Sequence, residues 1–151
     1  MKLTSFTDYS LRVLIYLAAD PARRATIAEI AAVYEISEHH LVKVAHFLGK
    51  CGWVSTTRGK GGGLELAAPP ETIVIGDVVR RTEGDSVLAE CFGEQPSQCA
   101  IAGACRLRGV LSRALDAFYA VLDECTLAQL AANPQQLSRI FFVDSPRRAA
   151  A

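Results

Sequence analysis

The sequence predicts a mainly α-helical protein made of a winged helix-turn-helix followed by a long dimerisation helix. Three observations predict it: two short amphipathic segments joined by a tight connection, a glycine-rich stretch between strand-like flanks, and a helical period sustained over residues 105–124. With 151 residues and a 50% hydrophobic composition, the chain can bury the core of one domain.

Capping residues mark the three N-terminal helices. The first helix should begin after Thr4 or Ser5 and end at 20–21, an Asp-Pro pair. Thr26, with Glu29 three residues later, forms a capping box that opens a second, short helix, and Ser37 caps a third. Two helices separated by a few residues, the second with an inward apolar stripe, predict a helix-turn-helix.

The polar face of the third helix is the candidate surface for contact with base edges. Its first turns carry Glu38, His39, His40 and Lys43. Glutamate can accept a hydrogen bond from cytosine, and histidine or lysine can donate to guanine or to phosphate. The ordinary alternative is a solvated helix face, and adjacent histidines diverge too far on a helix to share one metal ion easily.

A β-hairpin with a basic tip is predicted after the third helix, where WVSTT and LELAA enclose RGKGGG. Arg58, Gly59 and Lys60 at this tip form a candidate wing, because glycines let the backbone approach DNA and a guanidinium fits a narrow minor groove. The alternative is an ordinary glycine-rich turn; the spacing excludes a Walker phosphate loop.

Residues 1–60 carry eight Lys or Arg against five Asp or Glu, whereas the remainder carries eight against eleven. The basic excess therefore lies in the predicted DNA-binding part.

Four regions are predicted along the chain. Residues 1–82 form the winged helix-turn-helix, 83–105 a long loop, 106–143 the dimerisation helix with C-terminal helices, and 144–151 a flexible tail. The long helix should bury an apolar stripe against a partner. The stripe comprises Leu107, Val110, Leu111, Ala114, Phe118, Val121 and Leu122.

Three of the five cysteines, Cys91, Cys99 and Cys105, belong to the long loop. Their spacing matches neither a zinc ribbon nor a bacterial ferredoxin, so the spacing alone supports metal binding and unligated thiols about equally. The wrapping loop and the helix start at Cys105, which stabilises a thiolate, favour metal. Cys51 and Cys125 are expected in the core.

The chain shows no secretory signal and no apolar run long enough for a bilayer, which predicts a reduced, cytoplasmic protein without a membrane partner.

Several blocks of sequence, in order over nearly the whole chain, resemble the IscR/NsrR-type family of winged-helix iron–sulfur regulators, and in particular its nitric-oxide-sensing repressors. The blocks are LTSFTDYSLR at 3–12, SEHHLVKV at 37–44, RGKGGG at 58–63, IGDVVR at 75–80, CRL at 105–107 and TLAQL at 126–130. The resemblance implies a homodimer in which Cys91, Cys99 and Cys105 of each protomer hold an iron–sulfur cluster, with a four-iron cluster favoured and a two-iron cluster as the alternative.

The fourth ligand separates two branches of this family. In the nitric-oxide-sensing branch it is the aspartate of the FTDY block, supplied by the other protomer, which here is Asp8. In the iron–sulfur-regulating branch it is a histidine three residues after the last cysteine, and here that position is Arg108. The resemblance therefore implies the nitric-oxide sensor. The alternative for Asp8 is a simple pair with Arg12, four residues on.

The sequence thus predicts a dimeric regulator, not an enzyme, that represses transcription at a palindromic operator and releases the DNA when nitric oxide attacks its cluster. One rival is a relative that senses iron–sulfur supply or redox state. Another, from a different class, is a thiol redox protein without DNA binding, which would leave the helix-turn-helix and the wing unexplained.

Overall fold

A computed structural model describes residues 2–84, 89, 92 and 99–143, which contain seven α-helices and one two-stranded sheet. The elements, in order, are α1 (Ser5–Ala19), α2 (Ile27–Tyr34), α3 (Glu38–Lys50), β1 (Val54–Thr57), β2 (Gly63–Leu66), α4 (Ile75–Glu83), α5 (Arg106–Asp123), α6 (Leu127–Leu130) and α7 (Pro134–Ser138). The predicted mainly helical class with a hairpin is confirmed.

The predicted caps begin the first three helices. Thr4 accepts a hydrogen bond from the Thr7 amide at 3.2 Å, and Ser37 accepts one from the His40 amide at 3.4 Å. Both halves of the capping box at Thr26 are present. Glu35 closes α2 in the left-handed conformation, with φ at 54°, and so turns the chain into α3 within three residues. The predicted helix-turn-helix is therefore formed.

One apolar core joins the helix-turn-helix to α1 and α4. Leu14 of α1, Ile30 of α2, Leu41 and Leu48 of α3 and Val78 of α4 are all completely buried. Burying a side chain of this size contributes about 1.5–3 kcal/mol. The core therefore fixes the orientation of α3 relative to α1 and α4.

The hairpin is antiparallel, with Val54 paired to Leu66 and Thr57 to Gly63. The connection between α1 and α2 extends this sheet, because Ala25 and Leu64 exchange two backbone hydrogen bonds of 2.9 and 2.7 Å. Leu64 and Val54 are buried beneath the hairpin. The stem of the wing is thus held by the core, whereas its tip is exposed.

The C-terminal helices follow from local caps. The Asn133 side chain caps α7, which Pro134 begins. One difference from the prediction lies in α5. The apolar stripe of α5 is divided: Leu111 and Phe118 are half-buried against the chain, whereas Leu107 and others are exposed. Among the described helices, none combines the length and hydropathy needed to span a bilayer.

Candidate nucleic-acid interface and cysteine site

All four polar residues predicted on α3 lie on its outer face. Glu38, His39, His40 and Lys43 are exposed, while the buried positions of the helix face the core: Leu41, Val44, Ala45 and Leu48. Because Ser37 caps the helix immediately before them, these side chains surround its N-terminal end. That end carries free backbone N–H groups and a partial positive charge, both of which suit contact with DNA.

A groove between α1 and α3 extends this face and was not foreseen from the sequence. It encloses about 320 Å³ and is lined by Ser5, Phe6, Tyr9, His40, Lys43 and Val44. The Tyr9 ring centre lies 6.2 Å from that of His40. Tyr9 is only half-buried and presents its ring beside α3. The residue type itself could have identified this position, because a tyrosine side chain has an apolar ring and a polar hydroxyl and is common at interfaces.

The predicted wing residues stand at the exposed tip of the hairpin. Arg58, Gly59 and Lys60 lie in the turn between Thr57, the last residue of β1, and Gly63, the first residue of β2, which pair with each other. Gly59 has φ at 95°, which a residue with a side chain rarely adopts. Gly62 is crowded in another way, because a Cβ there would lie 2.2 Å from the Thr57 carbonyl oxygen. The glycines are therefore required by the tip's geometry.

An ion pair braces the wing from outside. Arg24 donates from Nε to Glu65 of β2 at 2.8 Å, and the Ser55 hydroxyl of β1 donates to the same carboxylate at 3.2 Å. The hydrogen bond from Arg24 and the one from Ser55 lower the pKa of Glu65. This pair joins the hairpin to the segment before α2, so the wing and the helix-turn-helix are connected on two sides.

Asp8, the predicted ligand on α1, is paired with Arg12 within the protomer. Arg12 Nε lies 3.0 Å from Asp8 Oδ2, and the two side chains are 42% and 46% exposed. The Arg12 guanidinium also lies 5.5 Å from the ring centre of Tyr34, at the end of α2. Burial raises the pKa of Tyr34. The carboxylate is therefore accessible from outside and connected through Arg12 to the helix-turn-helix.

Two of the three predicted cysteine ligands lie in the described part of the loop. Cys99 is exposed, and its carbonyl accepts from the Ala102 amide at 3.0 Å as the chain enters a short 3₁₀ turn. Cys105 is half-buried at the N-cap of α5, where its side chain makes no capping hydrogen bond. Cys91 lies outside the described residues. Cys51 and Cys125 are half-buried, the first ending α3 and the second between α5 and α6.

The described ranges bring no three His, Cys, Asp or Glu side chains into one metal-binding group. Thiolates are the ligands that iron–sulfur clusters use, so Cys99 and Cys105 suit the group. The guanidinium of Arg108 lies 5.9 Å from the ring centre of Phe92 and, having donors only, cannot ligate a metal.

Residues 3–133 match the Rrf2 family, described as iron-dependent transcriptional regulators. The chain belongs to this family. Among curated relatives, the helix-turn-helix transcriptional regulator NsrR of Bacillus subtilis is 49% identical over 141 residues, or 93% of this chain and 97% of the relative. NsrR of Geobacillus kaustophilus is 50% identical over 131 residues, covering 86% and 89% of the two chains. The resemblance to IscR/NsrR-type regulators is thereby confirmed.

Solved structures of Rrf2-type regulators share the fold. CymR, the global cysteine regulator of B. subtilis, superposes with a TM-score of 0.69 and is 30% identical, covering 87% of this chain and 97% of its own. IscR of T. potens superposes with a TM-score of 0.70 over 90% of each chain at 24% identity. Because the family and the curated relatives are transcriptional regulators, the protein is a transcriptional regulator and not an enzyme, which disfavours the thiol redox protein without DNA binding.

Proposed function

We propose that this Rrf2-family regulator is a homodimeric repressor that binds palindromic operator DNA while it holds an iron–sulfur cluster, and that nitric oxide acting on the cluster releases the DNA. The observation that carries the proposal is the position of Cys105. This thiol begins α5, whose other end is joined by backbone hydrogen bonds to α4 of the DNA-binding region. A change at the thiol can therefore be transmitted along one rigid helix.

The DNA contacts are assigned to two exposed surfaces. On α3, Glu38, His39, His40 and Lys43 would enter the major groove, as the N-terminal part of a recognition helix does. At the wing, Arg58, Gly59 and Lys60 would follow the minor groove and its phosphates. The groove beside Tyr9 is of a size to receive part of the DNA backbone next to Lys43. Cationic side chains there would make binding salt-dependent.

The dimer contact is assigned to the exposed face of α5. The residues of this face follow one another at alternating intervals of three and four, which is the spacing of the a and d positions of a coiled coil. They are Leu107, Val110, Ala114, Ala117 and Val121, all exposed. We call this exposed face of α5 the seam. The same helix of a second copy would cover it, and a two-fold dimer would present two equivalent helix-turn-helix units to a palindrome.

The cluster would be held by Cys91, Cys99 and Cys105 of one protomer and Asp8 of the partner subunit. When bound, it would supply an iron atom whose bond to a carboxylate is weaker than its bonds to thiolates, and so a point at which nitric oxide can enter. Arg12 would orient the Asp8 carboxylate, as hydrogen-bonded neighbours of metal ligands do. Arg108 occupies the position that the iron–sulfur-regulating relatives use for a histidine, which argues against that alternative.

The proposal is tested with protein purified without oxygen. The parent should show visible cluster absorption, iron and sulfide, and its holo form should bind an operator duplex more tightly than the apo form. Alanine at each of the three loop cysteines should abolish the absorption, whereas alanine at Cys51 or Cys125, the matched controls, should not. Asp8→Ala should keep a cluster but react with nitric oxide at a different rate and bind the operator more weakly.

Two outcomes would contradict the assignment. Absorption that survives Cys99→Ala would remove that thiol from the ligand set. Stopped-flow traces and operator titrations of Asp8→Ala that overlay those of the parent would make Asp8 a surface partner of Arg12 only. Equal operator affinity of holo and apo parent protein would refute cluster-dependent repression itself.

A further inference from the structure

The end of α5 is joined to the start of α4 by the backbone. The Ile75 amide donates to the Cys125 carbonyl at 2.9 Å, and the Leu127 amide donates to the Ile73 carbonyl at 2.8 Å. Val74 and Thr126 thus form an isolated antiparallel bridge. The first turn of α4, which lacks a side-chain cap, obtains one of its hydrogen-bond partners from this connection.

A cluster of side chains reinforces the same junction. Arg80 of α4 donates two parallel hydrogen bonds to Asp123 at the end of α5, at 2.7 and 2.5 Å. The guanidinium carbon also lies 4.5 Å from the ring centre of Tyr119, one turn earlier on α5. The hydrogen bonds from Arg80 lower the pKa of Asp123. We call Arg80, Tyr119 and Asp123 the clasp.

Gly76 makes room for the clasp. A Cβ at this position would lie 1.8 Å from Asp123 Oδ1 and 3.1 Å from Arg80 Nη1. Since any other residue would occupy the space of the carboxylate, the two-point geometry of the clasp depends on glycine here. A bidentate, stacked arginine holds orientation more strictly than a single ion pair does.

The two helices differ in how firmly the core holds them. In α4, Ile75, Val78 and Val79 are buried in the core together with α1. In α5, by contrast, no residue is fully buried, and the helix rests on the core through one half-buried face. The direction of α5 relative to the DNA-binding region is therefore set largely at the junction with α4.

We propose that the clasp fixes the angle between the DNA-binding region and α5, and that it thereby determines the spacing of the two half-sites that the dimer accepts. This inference rests on the proposed dimer and operator. Helix α5 has 18 residues, which corresponds to a length of about 27 Å. A rotation of about 10° at the junction would move its far end by roughly 5 Å, more than the 3.4 Å between successive base pairs.

The test measures spacing preference with the full-length protein. A palindromic duplex selected in vitro with the parent is compared with duplexes whose centre is one base pair longer or shorter. The parent should bind the selected spacing about tenfold more tightly than either altered one, because half-site separation is a geometric requirement of a rigid dimer. Asp123→Asn, which breaks the charged chelate, should reduce this preference to about threefold or less.

The matched control is Asp116→Asn, the same chemical change one heptad earlier on α5. It should keep the parent's preference. Gly76→Ala is the second variant, since it displaces the Asp123 carboxylate without removing a charge, and it should behave as Asp123→Asn does. The dimer mass of every variant is measured by analytical ultracentrifugation.

Unchanged spacing preference in both Asp123→Asn and Gly76→Ala, with the parent discriminating, would overturn the role of the clasp and leave the proposed function standing. A parent protein that is monomeric or binds no palindrome would overturn the proposed function, and this inference with it. Loss of preference in Asp116→Asn as well would also overturn the assignment, because the effect would then follow from charge on α5 in general.

Discussion

Replacing Gly62 with alanine should impair DNA binding while leaving the fold intact. A Cβ at Gly62 would lie 2.2 Å from the Thr57 carbonyl oxygen and 2.9 Å from that of Gly59, whereas ordinary contact begins at 3.4 Å. All the crowding atoms belong to the backbone, so no side chain can rotate away. The tip of the wing must therefore change shape, and Arg58 with it.

The tip of the wing makes few contacts within the protein but is expected to contact DNA, so Gly62→Ala should affect binding more than stability. Arg58 and Lys60 are exposed, so distorting the tip removes little buried area, and the free energy of unfolding should fall by about 1 kcal/mol or less. A wing arginine contributes about 1–3 kcal/mol to DNA binding. Gly62→Ala should therefore weaken operator binding by roughly 5- to 150-fold, close to the effect of Arg58→Ala.

The assay is fluorescence anisotropy with a labelled operator, paired with urea unfolding of the same preparations. Gly49→Ala is the matched control, because a Cβ at Gly49 would lie at an ordinary 3.6 Å from the Val54 carbonyl oxygen. Its affinity should equal the parent's. The reasoning is refuted if Gly62→Ala binds as tightly as the parent while Arg58→Ala does not, or if Gly62→Ala loses affinity only because it unfolds.

Two further predictions concern the helix-turn-helix and the start of the cysteine loop. Thr26→Ala should lower the free energy of unfolding by about 1 kcal/mol, because it removes the capping box of α2; an unchanged urea midpoint would contradict this. Burial alone would raise the pKa of Glu83, but hydrogen bonds from Thr7 and Thr4 outweigh it and lower the pKa. The carboxylate therefore stabilises the fold above the unfolded value of about 4.3. Glu83→Gln should be less stable at pH 7, and the difference should shrink as the pH falls through the lowered pKa; a constant difference would refute it.

Local chemistry explains why the DNA-binding half could be predicted well. The caps at Thr26 and Ser37 act on amides three residues away, so the sequence contains both partners of each hydrogen bond. The hairpin likewise follows from strand-forming residues on both sides of a glycine-rich turn. By contrast, Arg80 and Asp123 are 43 positions apart. No period or motif joins them, and only the packing of α4 against α5 shows that they meet.

The apolar stripe of α5 is a second case in which the sequence pattern does not show which residues pack together. Periodicity identifies residues that avoid water, but it does not say what covers them. In the structure the stripe separates into two faces: Phe118 and Leu122 pack on the core, whereas Val110 and Val121 are 51% and 67% exposed. Because both faces belong to one rigid helix that begins at Cys105, a shift at that thiol would move the seam and the packed face together. In the proposed dimer, the contact made by α5 and the DNA-binding region would therefore respond together to the state of the cysteine loop.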